Sequence, residues 1–267
     1  MQTDSEPLDA VMNASDTRDT GHWARPYWHA SDENAMLLFF VFGRFSGSTD
    51  EIGAALKLPD GIRLTRYAHA TLKPWEGYPL AGALGDMFAA EAPQTLAAAR
   101  DTPDVLRLAG EIRDPSDLDY LRDTLNAVTR LLDAGGVAAV DPQTSSLFDG
   151  DAWHRHYLGG HTGSMRQHVL VLCDPDPDDA ARQWVHTRGM RKFGRPDLSL
   201  TRVPGHEIDQ AGALCEQLVD MLALGGRFAD GQSLPVDGLA GPLVARASGD
   251  RDDPRFYNTH IELRWPS

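Results

Sequence analysis

The chain has 267 residues, 42% of them hydrophobic and 24% charged, and its 39 acidic against 25 basic side chains leave a formal net charge of −14. A field of that sign repels phosphate backbones and anionic lipid, which argues against nucleic acid and membrane as partners and favours a basic protein partner. The two cysteines, Cys173 and Cys215, sit among apolar residues and read as small buried hydrophobes; with no secretory h-region in the opening stretch, they fit a soluble, cytoplasmic protein.

Residues 1–34 lack apolar periodicity and carry Asp4, Glu6, Asp9, Asp16 and Asp19. They read as a mobile arm. An aromatic patch inside it, HWARPYWH over 22–29, is costly to solvate and is expected to dock on the body. Met36 to Phe45 is a near-continuous apolar run and reads as a central strand covered on both faces. Ser48 or Thr49 then caps a short helix ending before Pro59. Ile62 to Leu72 suggests a second strand, and 84–99 one or two helices broken at Pro93.

The middle of the chain is the most regular. Val105 to Ile112 reads as a strand, followed by a helix with Ser116 as N-cap. Leu118, Leu121, Leu125, Val128 and Leu132, spaced 3, 4, 3 and 4, put one apolar stripe against a sheet. Gly135-Gly136 stops that helix, and Val137 to Val140 is the next strand. Strands follow at 169–173, 184–187 and 198–203, with a turn at 174–179. A second stripe, Ile208, Ala211, Cys215, Leu218 and Leu222, ends at Gly225-Gly226. Closing strands fall at 243–247 and 259–265; alternation in the last places it at a sheet edge.

These elements define an α+β (α/β-like) protein, with mixed sheets and amphipathic helices packed on one face. The two helices with Gly-Gly exits suggest two related α+β units, 35–150 and 151–267, packed as one body behind the 1–34 arm.

Two clusters carry candidate chemistry. His154, His156, His161 and His168 fall within 15 residues, and a pair separated by one residue can share a divalent metal if the segment is extended. No His-Glu-x-x-His pattern or nearby cysteine completes such a site, so surface imidazoles are the simpler reading and no cofactor is expected. The second cluster is HTRGMRKFGRPDL, 186–198. It crowds Arg188, Arg191, Lys192 and Arg195 between His186 and Asp197 in an otherwise acidic chain. Arginine forks suit carboxylate or phosphate, which makes this an anion or partner site. The alternative is neutralisation of the chain's own carboxylates, Asp197 and Asp174 to Asp179. Nucleophile-elbow, phosphate-loop and dinucleotide motifs are absent.

HTRGMRKFGRPDL, the later FADGQS of 228–233 and DPRFYNTHIE of 253–262 resemble uncharacterised bacterial domain-of-unknown-function proteins with an HTxGMxxFGxPDL-like segment. The resemblance covers the C-terminal half. It implies a bacterial cytoplasmic protein, some of whose relatives sit near toxin–immunity loci, and it carries no catalytic residues. The expectation is a non-enzymatic binding protein of immunity or adaptor type with an acidic surface. The alternative is a hydrolase or transferase with an atypical, metal-assisted His/Arg site.

Overall fold

The computed structural model describes residues 21–158 and 165–266; the acidic stretch 1–20 and His161 lie outside them. The apolar run forms β1 (Asn34–Gly43), whose residues are continuously buried from Phe39 onward. It is central: β3 (Asp104–Arg113) and β4 (Gly136–Asp141) both pair antiparallel to it, with Phe39 opposite Leu108 and Val41 opposite Ala139. With β2 (Ile62–Ala68) and β5 (Ser146–Phe148) the order is β2-β3-β1-β4-β5. The expected strand–helix–strand unit is thus two parallel strands with β1 inserted between them, a split βαβ arrangement.

Helix α1 (Thr49–Leu56) opens on a capping box in which Ser48 and Glu51 exchange hydrogen bonds. The 62–72 stretch differs from expectation. Its last four residues form a helical turn, α2 (His69–Leu72), because the His69 amide bonds the Pro103 carbonyl instead of continuing the ladder. α3 (Gly82–Glu91) and α4 (Pro93–Arg100) break at Pro93, which takes the first helical position of α4. α5 (Asp119–Asp133) buries its apolar stripe beside α1 against one face of the sheet. Its start is later than expected. Ser116 is not the cap; the 115–118 segment instead pairs with the arm, Ala24 bridging Asp117 and the Leu118 amide bonding the Trp23 carbonyl.

The opposite face of this sheet is covered too. Phe88, Leu96 and Ala99 pack on Phe40, Phe42, Val105, Ala138 and Val140. A strand apolar on both sides needs both faces covered, so helices lie on two faces here and not one.

After the short α6 (Gly150–Trp153) the chain builds a second sheet from β6 (Leu170–Pro175), β7 (Gln183–Arg188), β8 (Asp197–Val203), β9 (Ser233–Leu234), β10 (Leu243–Ser248) and β11 (His260–Arg264). Its order is β6-β7-β8-β11-β10-β9, and β8 and β11 are parallel. β11 is therefore interior, not at an edge. Its alternation reports two unlike faces, and a face pattern says nothing about lateral neighbours. Cys173 is exposed on edge strand β6, contrary to the buried reading, whereas Cys215 is buried on α7 (Ile208–Ala223). The two sheets differ in strand order, so the matching Gly-Gly exits are not matched by topology.

One core joins the sheets: β1, α5 and α7 contribute to it together with Trp23, Tyr157, Met190 and Phe193. The aromatic patch docks as expected. Trp23 and Arg25 are buried, and the Tyr27 amide bonds the Leu224 carbonyl at the end of α7. Gly225 permits that contact: its φ is +107°, and an added Cβ would stand 2.4 Å from the Trp28 Cα. Gly225→Ala is expected to destabilise the fold by about 2 kcal/mol, from left-handed strain plus the displaced arm. Faster chymotryptic cleavage after Trp28, which is followed by His29, would report the displacement; unchanged cleavage and melting temperature would contradict it. Among the described residues no helix is long and apolar enough to cross a membrane.

Candidate functional site

The cationic segment forms the joint between the two sheets. β7 ends at Arg188, and Gly189 (φ +120°) and Gly194 (φ +60°) bracket a 3-10 turn over Met190–Phe193 that lies against β1. This places alternate residues of one short stretch in opposite environments. Lys192 points into the core, where its ammonium pairs with Asp141 and donates to the His168 carbonyl at 3.1 Å. Burial pulls the Lys192 pKa down, against Asp141, which raises it. Arg195 is also buried. It shares the Asp114 carboxylate with Arg25 at 2.9 Å each, and its other nitrogens cap the Gly225 and Gly226 carbonyls.

Self-neutralisation therefore holds for these two cations, but not with the carboxylates expected. Their partners are Asp114 and Asp141, well upstream in sequence. Asp197 takes no cation as hydrogen-bond partner. It accepts from Thr187 Oγ1 at 2.9 Å, Asn258 Nδ2 at 2.8 Å and the Met190 amide at 3.3 Å. Of the 174–179 acids, Asp174 pairs with His186 at 2.9 Å. The His186 ring stacks on Trp184 with centroids 3.7 Å apart, and burial lowers its pKa against the pull of Asp174.

The histidines do not behave as one surface group. His154 is exposed, whereas His156 bonds the Gln167 carbonyl at 2.8 Å and packs against Phe148 and Tyr157. His168 is buried and stacked on Tyr157; burial, then Lys192, hold its pKa well below the usual imidazole range. The segment is helical over 150–158, not extended, so the alternate-residue face needed for a His154–His156 pair does not form. Among the described residues no three His, Cys, Asp or Glu side chains are grouped as a metal site would require.

Arg188 and Arg191 remain, and they line a cavity of about 310 Å³ between the sheets. Its walls are apolar: Met36 and Leu38 from β1, Leu84 from α3, Pro142 and Phe256. Asp197, Gln143 and Tyr257 complete it. Among the described residues, neither His154, His156 nor His168 contributes. Arg188 makes no hydrogen bond or ion pair among the described residues; its Nε is buried without a partner, and its guanidinium lies 5.7 Å from the Tyr257 ring centroid. The Gln143 side chain donates to the Met36 carbonyl, leaving Oε1 buried and unpartnered. A lone donor and a lone acceptor thus share one cleft.

Tyr257 at the rim adopts φ +53°, a left-handed conformation rare for a bulky residue, and is 54% exposed. Arg191 holds it by donating to its carbonyl at 3.2 Å, and reaches Glu111 at 3.5 Å. Gln143, Tyr257 and the apolar wall were not legible as site residues, since they come from four separate stretches. The DPRFYN segment, 253–258, was the one local signal.

Burial pushes the Asp197 carboxyl up to about 7, against the hydrogen bonds from Asn258, Thr187 and Met190. The folded state then holds a proton that the unfolded chain loses near pH 4. Stability from this group is full at low pH and is lost as pH rises through about 7. Relative to Asp197→Asn, the parent is expected to lose about 2–3 kcal/mol between about pH 5 and about pH 8. Paired urea unfolding curves check this; a parent–variant difference independent of pH contradicts it.

Comparison with protein-family models, curated proteins and solved structures returns no match to the chain.

Proposed function

We propose that this α+β protein is a non-enzymatic binding protein that captures an anionic group of its ligand in the Arg188–Arg191 cleft. The observation that carries this reading is the Arg188 guanidinium, which lines an inter-sheet cavity and whose buried Nε has no hydrogen-bond partner among the described residues. A cation left unpaired in a low-dielectric wall is a standing invitation to a carboxylate or phosphate oxygen. The other candidate groups of the segment support the same division. Lys192, Arg195 and Asp197 spend their hydrogen bonds on internal partners, and His186 on Asp174. An immunity or adaptor role in the bacterial cytoplasm fits such a site, with the −14 exterior favouring a partner whose remaining surface is basic.

The test is a titration with benzoate, and with benzamide as its neutral counterpart, followed by methyl NMR at Met36. Saturable shifts with benzoate at millimolar concentration, lost in Arg188→Ala while that variant keeps its melting temperature, are expected. No saturable shift with benzoate, acetate or phosphate would overturn the reading.

A further inference from the structure

The cleft supplies more than positive charge. Its polar atoms without a partner among the described residues are Arg188 Nε and Gln143 Oε1. Of the other polar groups in the lining, Arg191 donates to the Tyr257 carbonyl and Asp197 accepts from Thr187, Asn258 and Met190, while Met36, Leu38, Leu84, Pro142 and Phe256 form an apolar wall. A ligand that satisfies all three features brings an anion, an N–H close to it, and a hydrocarbon group. Inorganic phosphate or a simple dicarboxylate lacks the apolar part. At about 310 Å³ the cavity lies at the bottom of the range for small-molecule sites. The volume suits one amino-acid residue.

We infer that the cleft binds the C-terminal residue of a polypeptide, its α-carboxylate on Arg188 and Arg191, its own amide N–H on Gln143 Oε1, and an apolar side chain against Met36, Leu38 and Leu84. This rests on the proposed binding role of the cleft and specifies its ligand. Several features on the page fit. Arg188 Nε shares one planar guanidinium with nitrogens that extend beyond it, and Gln143 Oε1 lies at the end of its side chain, so a terminal carboxylate on the guanidinium and an amide on Oε1 are met by torsional adjustment of two side chains. Burying either atom unpaired is unfavourable, and a ligand with both an acceptor and a donor relieves both at once. Tyr257, held left-handed by Arg191, stands exposed at the rim, where the chain preceding the terminal residue must leave. Phe256 and Tyr257 present ring surface to that chain at small entropic cost.

The experiment uses the full chain and fluorescence anisotropy of labelled peptide pools, randomised except for a terminal leucine or phenylalanine, prepared as free acids and as carboxamides. N-acetylleucine and N-acetylleucinamide serve as minimal competitors. The free-acid pool is expected to bind at least about tenfold tighter than the amide pool, the gap expected of a charge-assisted hydrogen bond. That gap should collapse in Arg188→Ala. In Gln143→Leu, affinity for the acid pool should fall, while that for a pool N-methylated at the terminal residue stays unchanged.

Equal binding of acid and amide pools would overturn the inference yet leave the cleft a binding site. Binding of benzoate but of neither pool would do the same. If N-acetylleucine binds as tightly as the peptides, the ligand is a free N-acyl amino acid and the polypeptide assignment fails. Failure of every probe, benzoate included, removes the binding reading together with the inference. Should Arg188→Ala lose its cooperative melt, Arg188→Gln, which keeps most of the aliphatic stem and a polar end without the charge, takes its place.

Discussion

Asp114→Ala is expected to destabilise the protein by about 3–5 kcal/mol, among the largest effects of any single substitution. The Asp114 carboxylate lies between two buried guanidinia, Arg25 and Arg195, both bonded to its Oδ1 at 2.9 Å. Their remaining donors are spent on carbonyls of Pro115, Phe193, Gly194, Ala223, Gly225 and Gly226. Three of those carbonyls, of Ala223, Gly225 and Gly226, lie at the C-terminal end of α7 and just past it, at the negative end of its dipole, which favours the cations further. Removing Asp114 leaves two buried like charges without the carboxylate they share. Arginine keeps its proton at any practical pH, so the loss cannot be relieved by titration. Urea unfolding of the parent and of Asp114→Ala measures it. A difference below about 1 kcal/mol would show that the carbonyl cage alone neutralises the pair.

Asp141→Ala is expected to cost a similar 3–5 kcal/mol at neutral pH, by a different course. Asp141 pairs with Lys192, accepts the Tyr157 hydroxyl at 2.8 Å and receives the Gln143 amide at 3.0 Å. Without it the ammonium is stranded. Lysine, unlike arginine, escapes by losing its proton. Burial already depresses the Lys192 pKa, and removal of Asp141 deletes the main opposing influence. With its folded pKa below the unfolded one, the deficit is greatest at low pH and shrinks as pH rises toward the lysine range. The double variant Asp141→Ala, Lys192→Met is expected to regain most of the loss, because no buried charge remains unpaired. Parallel unfolding curves at neutral and alkaline pH decide the matter. A deficit unchanged by pH, or undiminished in the double variant, would mean that the Tyr157 and Gln143 contacts dominate.

Much of the fold was legible because each element carries its own periodicity. The stripes on α5 and α7, the both-face run of β1 and the Pro93 break all depend on neighbours within a turn or two. Lateral order was not legible. Nothing within β11 says that β8 and β10 flank it, and nothing within β3 or β4 reveals β1 between them. Ser116 lost its capping role to a contact with Ala24, about 90 residues away in sequence. The same limit governs the site. Local composition singled out 186–197, but the fate of each cation depends on distant groups. Lys192 and Arg195 meet Asp141 and Asp114 and become internal ties. Arg188, only four residues from Lys192, meets no acceptor and faces the cleft with Gln143, which no local pattern distinguishes from a turn residue.

That division between structural and binding cations is tested most directly by equilibrium urea unfolding of Arg188→Ala beside Arg195→Ala. Arg188→Ala should stay within about 1 kcal/mol of the parent, since only the stacking on Tyr257 is lost and an unpartnered donor is removed. Arg195→Ala should lose about 3 kcal/mol or more, because Asp114, the Gly225 and Gly226 carbonyls and the docked arm lose a common partner. Equal losses, or a larger loss at Arg188, would contradict the account.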